Sequence, residues 1–310
     1  MDMIKIFIDG EHGTTGLQIR NRLEKRSDIE ILSLKLADRH DIGLRRECMN
    51  AADIAILCLP DQAAKETVNF HKHQKNLRII DSSTAYRVDP RWVYGFPEMH
   101  VTQREKIRNA CFVSNPGCYA TGAISLLRPL REANALSENA YVTLYVVSGY
   151  TGGGKQLIHL MEDKTEKDAP HYMFFSYSLE FKHKHLPEIK TYGQLKHIPI
   201  FMPNVARFRQ GMLVNLSLRL KDFVKTLDPE MVFDIFQNYY AGENNIIVAT
   251  LEEAENIERL NPEELAGSDQ LKIYIFCNRE EGIISLYASL DNLGKGASGA
   301  AIQNLDIMLS

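Results

Sequence analysis

Over the first 115 residues, short apolar runs alternate with stretches in which apolar side chains recur at helical spacing. "IKIFIDG" (4–10) predicts a buried strand ending in glycine. "TTGLQIRNRLEKRS" predicts a helix with Leu17, Ile19 and Leu23 among its apolar positions. "IEILSLKL" (29–36) predicts a second strand and "DIGLRRECMNA" a second helix. "DIAILCLP" (53–60), stopped by Pro60, predicts a third strand, "QAAKETVNFHKHQ" a third helix, and "LRIIDSS" (77–83) a fourth strand. Strand and helix alternating at short intervals imply a parallel sheet wound with crossover helices.

After a helix over "YATGAISLLRPLREAN" the pattern changes. "AYVTLYVVSGY" (140–150), "MLVNLSLRL" (212–220), "NIIVATL" (245–251), "LKIYIFCN" (271–278) and "IISLYASL" (283–290) are long β-branched and aromatic runs. Lengthy connections, not regular helices, are expected between them. This predicts an α+β domain around a mixed, largely antiparallel sheet. "GKGASGAAIQNLDIML" then returns to small residues at helical spacing. The fold class expected is α/β: a parallel-sheet domain over residues 1–115 and an α+β domain over 116–291, with a tight boundary near Asn115.

Composition narrows the function. A net charge of −4 gives no reason to expect a nucleic acid or an anionic membrane as partner. No apolar stretch approaches the ~20 residues that span a bilayer. "MDMIKIFIDG" lacks the basic start and long apolar stretch of a signal peptide. Five scattered cysteines without a CxxC pair oppose a disulfide framework and a zinc ribbon, and favour a reducing, cytoplasmic setting. Four of them (Cys48, Cys58, Cys111 and Cys277) read as small buried hydrophobes.

"DGEHGTTG" places Gly10, Gly13 and Gly16 between a strand and a helix, where backbone amides meet a pyrophosphate. The spacing departs from G-x-G-x-x-G and a tight turn is the alternative, but the alternating elements that follow favour the phosphate-binding loop. After the second strand, "KLADRHD" offers Lys35, Arg39 and His40, which suit a 2′-phosphate and hence NADP(H). A solvated basic turn explains the same residues, and Asp38 keeps NAD open.

"SNPGCYATG" (114–122) frames a cysteine. Pro116 favours a first helical turn, Gly117 permits an unusual backbone angle, and Cys118 then lies at a helix N-terminus, where dipole and amides favour a thiolate. The same amides serve an oxyanion. In "FKHKHLPEI" (181–189), His183 and His185 supply candidates for proton traffic. Glu188 shares a helical face with His185, so that it orients the imidazole if Pro187 permits a helix there. An exposed basic patch is the alternative, as for most of the ten histidines, including the "HKH" at 71–73.

With these motifs assembled, "VSNPGCYATGAISLLRP" (113–129) closely resembles the active-site signature of the N-acetyl-γ-glutamyl-phosphate reductases of arginine biosynthesis. "DGEHGTTG", "DSSTAYRVD" with "YGFPE" (81–98), "SGYTGGGK" (148–155), "HKHLPEI", "PNVARFRQGML" (203–213) and "DNLGKGASGAAIQN" (291–304) match the same family in order along almost the whole chain. The length and the "GEHGTTG" form resemble the shorter of its two types. Leu126 stands where the signature has a small residue. The resemblance implies NADPH-dependent reduction of a small-molecule acyl phosphate through a thioester on Cys118, with His185 or His183 moving the proton beside Glu188. It implies cofactor contacts from Gly10, Gly13, Thr14, Thr15, Gly16, Gly152, Gly153 and Asn292, and a last helix that returns to the first domain, so that 1–115 and 292–310 form the dinucleotide-binding domain and 116–291 the catalytic one. Arg87 and Asn115 would hold the leaving phosphate, Arg207 or Arg209 the substrate's carboxylate, and the protein would be a homo-oligomer, dimer or tetramer. No metal is expected. The alternatives are an aspartate-semialdehyde dehydrogenase-like reductase of another acyl phosphate, or a dinucleotide-binding redox sensor without catalysis.

Overall fold

The computed structural model describes residues 3–71, 77–163 and 173–310. In chain order its elements are β1 (Ile4–Asp9), α1 (Thr14–Leu23), β2 (Ile29–Leu32), α2 (Ile42–Ala51), β3 (Ile54–Leu57), α3 (Asp61–His71), β4 (Arg78–Asp81), β5 (Val93–Tyr94), α4 (Gln103–Asn109) and β6 (Phe112–Ser114). Then follow α5 (Cys118–Glu132), β7 (Thr143–Gly149), α6 (Gly154–Glu162), β8 (Phe174–Ser176), α7 (Leu186–Tyr192), β9 (Ile200–Ala206), β10 (Met212–Arg219), α8 (Pro229–Tyr239), β11 (Ile246–Val248), α9 (Leu251–Glu255), β12 (Leu271–Asn278), β13 (Ile283–Leu290) and α10 (Gly299–Leu309). They form two compact units: Met1–Gly117 with Ala297–Ser310, and Cys118–Gly296.

The first unit is built on a six-stranded sheet in the order β2-β1-β3-β4-β6-β5, every described pair parallel. Alternation along the strands divides its core in two. Ile6, Ile8, Ile54, Ile56, Ile80 and Val113 pack with Ile19 and Leu23 of α1, Ile107 of α4 and Leu305 of α10. The residues between them, Phe7, Ala55, Leu57 and Ile79, pack with Met49 of α2, Val68 of α3 and the stacked pair Tyr86–Trp92. A sheet buried on both faces explains why these strands read as continuous apolar runs. The second strand is shorter than its pattern. It ends at Leu32, because the buried Glu11 carboxylate takes the amide of Leu34, and a 3-10 turn follows over Leu36–Asp38.

The second unit carries a mixed seven-stranded sheet, β11-β12-β13-β10-β7-β9-β8, in which β11–β12 and β7–β9 are parallel and the remaining pairs antiparallel. One face is closed: Leu144, Val146, Val214, Leu216, Leu286, Ala288 and Ile273 are fully buried, with α5 against β10 and β13 and α8 against β12. The connections correct the sequence expectation. They hold regular helices, above all α8, which starts on Pro229 behind an Asp228 cap and buries Val232 and Phe236. The strand expected over 245–251 stops at Val248, because Thr250 caps α9 through the amide of Glu253.

Helix α5 runs through Pro129 without ending there. Proline cannot donate to the carbonyl four residues back. That carbonyl, on Ser125, instead accepts a 2.8 Å bond from the Tyr240 hydroxyl. Leu126 is fully buried in the same helix. Among the described residues no helix is long and apolar enough to cross a membrane.

Candidate active site

Cys118 is the first residue of α5, the element that the Pro-Gly entry and the apolar period after it predict. Gly117 is not among the glycines with positive φ, so the unusual angle expected there is absent. The next residue, Tyr119, is buried, and its ring meets both His183 and His185 edge-on at 5.7 Å between centroids. The two imidazoles lie 4.7 Å apart at 80°. His185 directly precedes α7, with Pro187 in the first turn, where a missing amide costs nothing. His185 and Glu188 come within 4.0 Å, both buried. Proline thus permits the helical pairing of His185 with Glu188.

Two tyrosines that the sequence reading passed over complete this cluster. The Tyr177 hydroxyl lies 3.2 Å from His183 Nε2 and donates to Tyr119 Oη at 3.3 Å. Tyr119 donates to the carbonyl of Asn204 at 3.2 Å. Burial is the main cause that pushes the Tyr177 phenol up to about 12, and the nearby Cys118 adds to it. Burial likewise holds the Tyr119 phenol well above its ordinary range. Both tyrosines are therefore neutral hydrogen-bonding groups at physiological pH. Gly296, also unassigned from sequence, backs Cys118: a Cβ there would stand 2.7 Å from Cys118 Cβ.

"SGYTGGGK" forms the end of β7, a 3-10 turn that includes Gly152 and Gly153, and the start of α6. Asn292 ties it down. Its Nδ2 donates to Thr151 Oγ1 at 2.9 Å and its Oδ1 accepts from Gly211 N at 2.7 Å. Thr151 in turn donates to the carbonyl of Arg209 at 2.7 Å. Arg207 is partly buried and donates to the carbonyl of Met161 at 3.1 Å. The Arg209 guanidinium is exposed and paired with Glu162, so the two candidate carboxylate binders lie in different settings.

In the first unit, Gly10 takes φ +90°, and a side chain there would strike the carbonyl of Cys58. Gly16 abuts the carbonyl of Gly10 in the same way. These two glycines serve backbone packing. Gly13 is the N-cap of α1, with no side-chain cap and no acidic residue in the first turn; Thr14 and Thr15 open the helix. A ten-residue helix that starts in this way fits a pyrophosphate. Lys35, Arg39 and His40 are exposed after β2, and Arg39 Nη1 donates to the carbonyl of Leu36 at 2.7 Å. Glu11, missed from sequence, is buried beside Arg20 and accepts from Ser33 Oγ at 3.1 Å. Its carboxylate fixes the end of β2.

Arg87 is buried, donating Nε to the carbonyl of Asn115 at 3.0 Å and Nη2 to that of Ser82 at 3.2 Å. Asn115 joins the end of β6 to the chain's last segment: Nδ2 donates to the Ala297 carbonyl at 2.9 Å and Oδ1 accepts from Asn304 at 3.1 Å. Asp81, fully buried, accepts from Ser83 Oγ at 2.6 Å, and desolvation is the main cause that pushes its carboxyl up to about 6.

The other cysteines divide. Burial pushes the Cys58 thiol up to about 12, as for an inert thiol. Cys48, Cys58 and Cys277 are partly buried as whole residues, and Cys111 is exposed one residue before β6, which corrects its expected burial. His71 is buried; His73 lies outside the described residues.

Residues 118–292 match the family model described as semialdehyde dehydrogenase, dimerisation domain, and residues 35–110 match semialdehyde dehydrogenase, NAD binding domain. Among curated relatives, the N-acetyl-gamma-glutamyl-phosphate reductase of Rhizobium meliloti is 50% identical over 309 residues, covering 99% of each chain. That of Brucella anthropi is 51% identical over 305 residues, covering 98% of each. Among solved structures, aspartate semialdehyde dehydrogenase II from Vibrio cholerae, complexed with ASA, superposes with a TM-score of 0.75 at 13% identity, over 100% of this chain and 99% of that one. The Candida albicans aspartate semialdehyde dehydrogenase with NADP gives 0.66 at 15% identity, over 99% of each. At these identities the structural likeness speaks for the fold.

Proposed function

This chain belongs to the N-acetyl-gamma-glutamyl-phosphate reductase family, and on that premise we propose that it reduces N-acetyl-γ-glutamyl phosphate to N-acetylglutamate 5-semialdehyde and phosphate, with NADPH, in arginine biosynthesis. The observation that carries the reading is the placement of Cys118 at the start of α5, next to the tyrosine that packs on both His183 and His185.

The Cys118 thiolate, favoured at the helix N-terminus, attacks the γ-carbonyl carbon. Amides of the first turn of α5 stabilise the tetrahedral oxyanion, the C–O bond to phosphate breaks, and a thioester remains on Cys118. NADPH, when bound, supplies the hydride that reduces the thioester carbonyl. His185, paired with Glu188, protonates the resulting oxyanion of the thiohemiacetal on Cys118. It takes that proton back as the C–S bond breaks and the aldehyde leaves. Arg207, which is partly buried, is assigned to the substrate's carboxylate in preference to the exposed Arg209. The guanidinium of Arg87, oriented by two carbonyls, is assigned to the phosphate, with Asn115 holding that orientation.

The first unit takes NADP(H): the start of α1, with Gly13, Thr14 and Thr15, receives the pyrophosphate, and Arg39 and His40 the 2′-phosphate. Gly152, Gly153 and Asn292 are assigned to the nicotinamide end. Five cysteines with no disulfide among them suit the cytoplasm. The second unit's sheet leaves a face with Tyr145, Ile200 and Met202 exposed, and pairing of that face with its copy makes the homodimer. The exposed apolar side chains supply the driving force.

The test runs the reaction backwards, with N-acetylglutamate 5-semialdehyde, NADP and inorganic phosphate, and follows NADPH by absorbance. Reduction of NADP that requires phosphate is expected. Equal or faster turnover of aspartate semialdehyde would replace this substrate with the shorter one, and dinucleotide binding without turnover would leave a sensor.

A further inference from the structure

Both imidazoles of the His183–His185 pair stand in the site, but the hydrogen bonds distinguish them. The backbone amide of His185 donates to His183 Nδ1 at 3.2 Å. A peptide N–H is always a donor, so Nδ1 must be an acceptor and the neutral ring carries its proton on Nε2. Nε2 faces the Tyr177 hydroxyl at 3.2 Å, so the ring donates there. Tyr177 passes its own proton toward Tyr119, and Tyr119 toward the carbonyl of Asn204. The chain His183 → Tyr177 → Tyr119 → Asn204 therefore has one direction and ends on a backbone acceptor. The segment between Tyr177 and His183 is strained as well: Ser178 and Phe181 take φ of 52° and 56° without being glycine, a conformation that persists only where its surroundings hold it. A turn bond from Phe181 N to the Ser178 carbonyl at 3.0 Å closes this loop.

We propose that Tyr177 is a positioning residue for the acid–base histidine: it holds His183 in the Nε2–H tautomer, and His183, by accepting the amide of His185, sets the His185 ring rather than moving the substrate's proton itself. The proposal rests on the reading of Cys118 and His185 given above. Tyr119 ties the arrangement to the nucleophile, since it adjoins Cys118 in the chain and closes the hydrogen-bond path from His183. Removing the Tyr177 hydroxyl takes away one of the two hydrogen bonds that favour the Nε2–H tautomer. The tautomer protonated at Nδ1, which cannot accept from His185, then gains population.

Two readouts on the full-length protein decide it. In the first, histidine-selective ¹⁵N labelling and long-range ¹H–¹⁵N spectra at pH 7 report each tautomer, with His183 assigned by its loss in His183→Asn. Wild type shows His183 protonated at Nε2 alone, and Tyr177→Phe, which keeps the ring and its packing, shows a mixture. In the second, Tyr177→Phe lowers kcat about tenfold with KM within about twofold. His183→Asn, whose amide oxygen replaces Nδ1 as acceptor, stays within about tenfold of wild type, whereas His185→Asn loses at least a hundredfold. A wild-type His183 protonated at Nδ1, or Tyr177→Phe with unchanged tautomer and kcat, overturns the proposal. So does His183→Asn that is as inactive as His185→Asn. A wild type that binds NADPH but turns over no acyl-phosphate couple overturns the functional reading instead, and the spectra still decide what Tyr177 does to His183.

Discussion

Gly296 backs Cys118 so closely that an added Cβ would stand 2.7 Å from the cysteine Cβ and 3.0 Å from the carbonyl oxygen of Asp291. Neither neighbour is the flexible tip of a side chain, so Gly296→Ala has to move the start of α5. Overpacking of this kind costs about 1–3 kcal/mol. Gly296→Ala is expected to lower the melting temperature by several degrees and to slow alkylation of Cys118 by iodoacetamide relative to wild type. A wild-type alkylation rate would show that the helix start yields without displacing the thiol.

Cys118→Ser is expected to remove nearly all turnover while NADPH binding, measured by fluorescence titration, stays within a few-fold of wild type. Mass spectrometry of a quenched wild-type reaction is expected to find an acyl adduct on the peptide that holds Cys118. Replacing Cys111, which is exposed, or Cys58, whose thiol burial pushes up to about 12, changes activity little. Activity surviving in Cys118→Ala rules out the thioester.

Arg39 is exposed, and its one described bond is to the carbonyl of Leu36 in the same turn. Arg39→Leu therefore leaves the melting temperature within a degree or so, and its effect is read in the cofactor. The Michaelis constant for NADPH is expected to rise about tenfold or more and that for NADH to change little, as for a cation on a 2′-phosphate. Equal effects on both cofactors remove Arg39 from the site.

The Asp81 carboxyl is raised from 3.8 to about 6, chiefly by desolvation. A carboxyl raised in the folded state binds its proton more tightly there than in the unfolded chain. Its stabilising contribution is then complete below about 3.8 and is lost as pH rises to about 6. The span corresponds to about 3 kcal/mol. Wild type measured against Asp81→Asn by urea unfolding from pH 4.5 to 7.5 is expected to lose stability with rising pH relative to the variant, and then to run parallel above about pH 6.5. Parallel curves across the whole range would show that Asp81 does not titrate there.

Tyr145 and Met202 lie opposite each other on β7 and β9, exposed on the open face of the second unit's sheet. Tyr145→Asp and Met202→Asp put charge on that face without touching its buried side. Sedimentation velocity is expected to show dissociation to the monomer in both variants, against a dimer for wild type. A variant that sediments as wild type moves the interface elsewhere.

Periodicity along the chain determined the two-part architecture, because burial on both faces makes parallel strands read as unbroken apolar runs, and the long β-branched runs β12 and β13 have the bounds their sequences predict. The helix start at Cys118 was legible for a similar reason: proline, glycine and the apolar period act locally. The tertiary structure alone decided matters set by residues distant in the chain. Pro129 stays within α5 because Tyr240, 115 residues beyond Ser125, supplies the missing donor. Glu11 ends β2 early by taking the amide of Leu34. Gly296 is confined to glycine by a cysteine on another element. Tyr119 and Tyr177, which look like core aromatics in sequence, form a directed hydrogen-bond chain to His183 only because β9, α5 and the loop before α7 converge. Local sequence carries backbone preference and burial period. Which buried polar groups find one another depends on the packing of the whole unit.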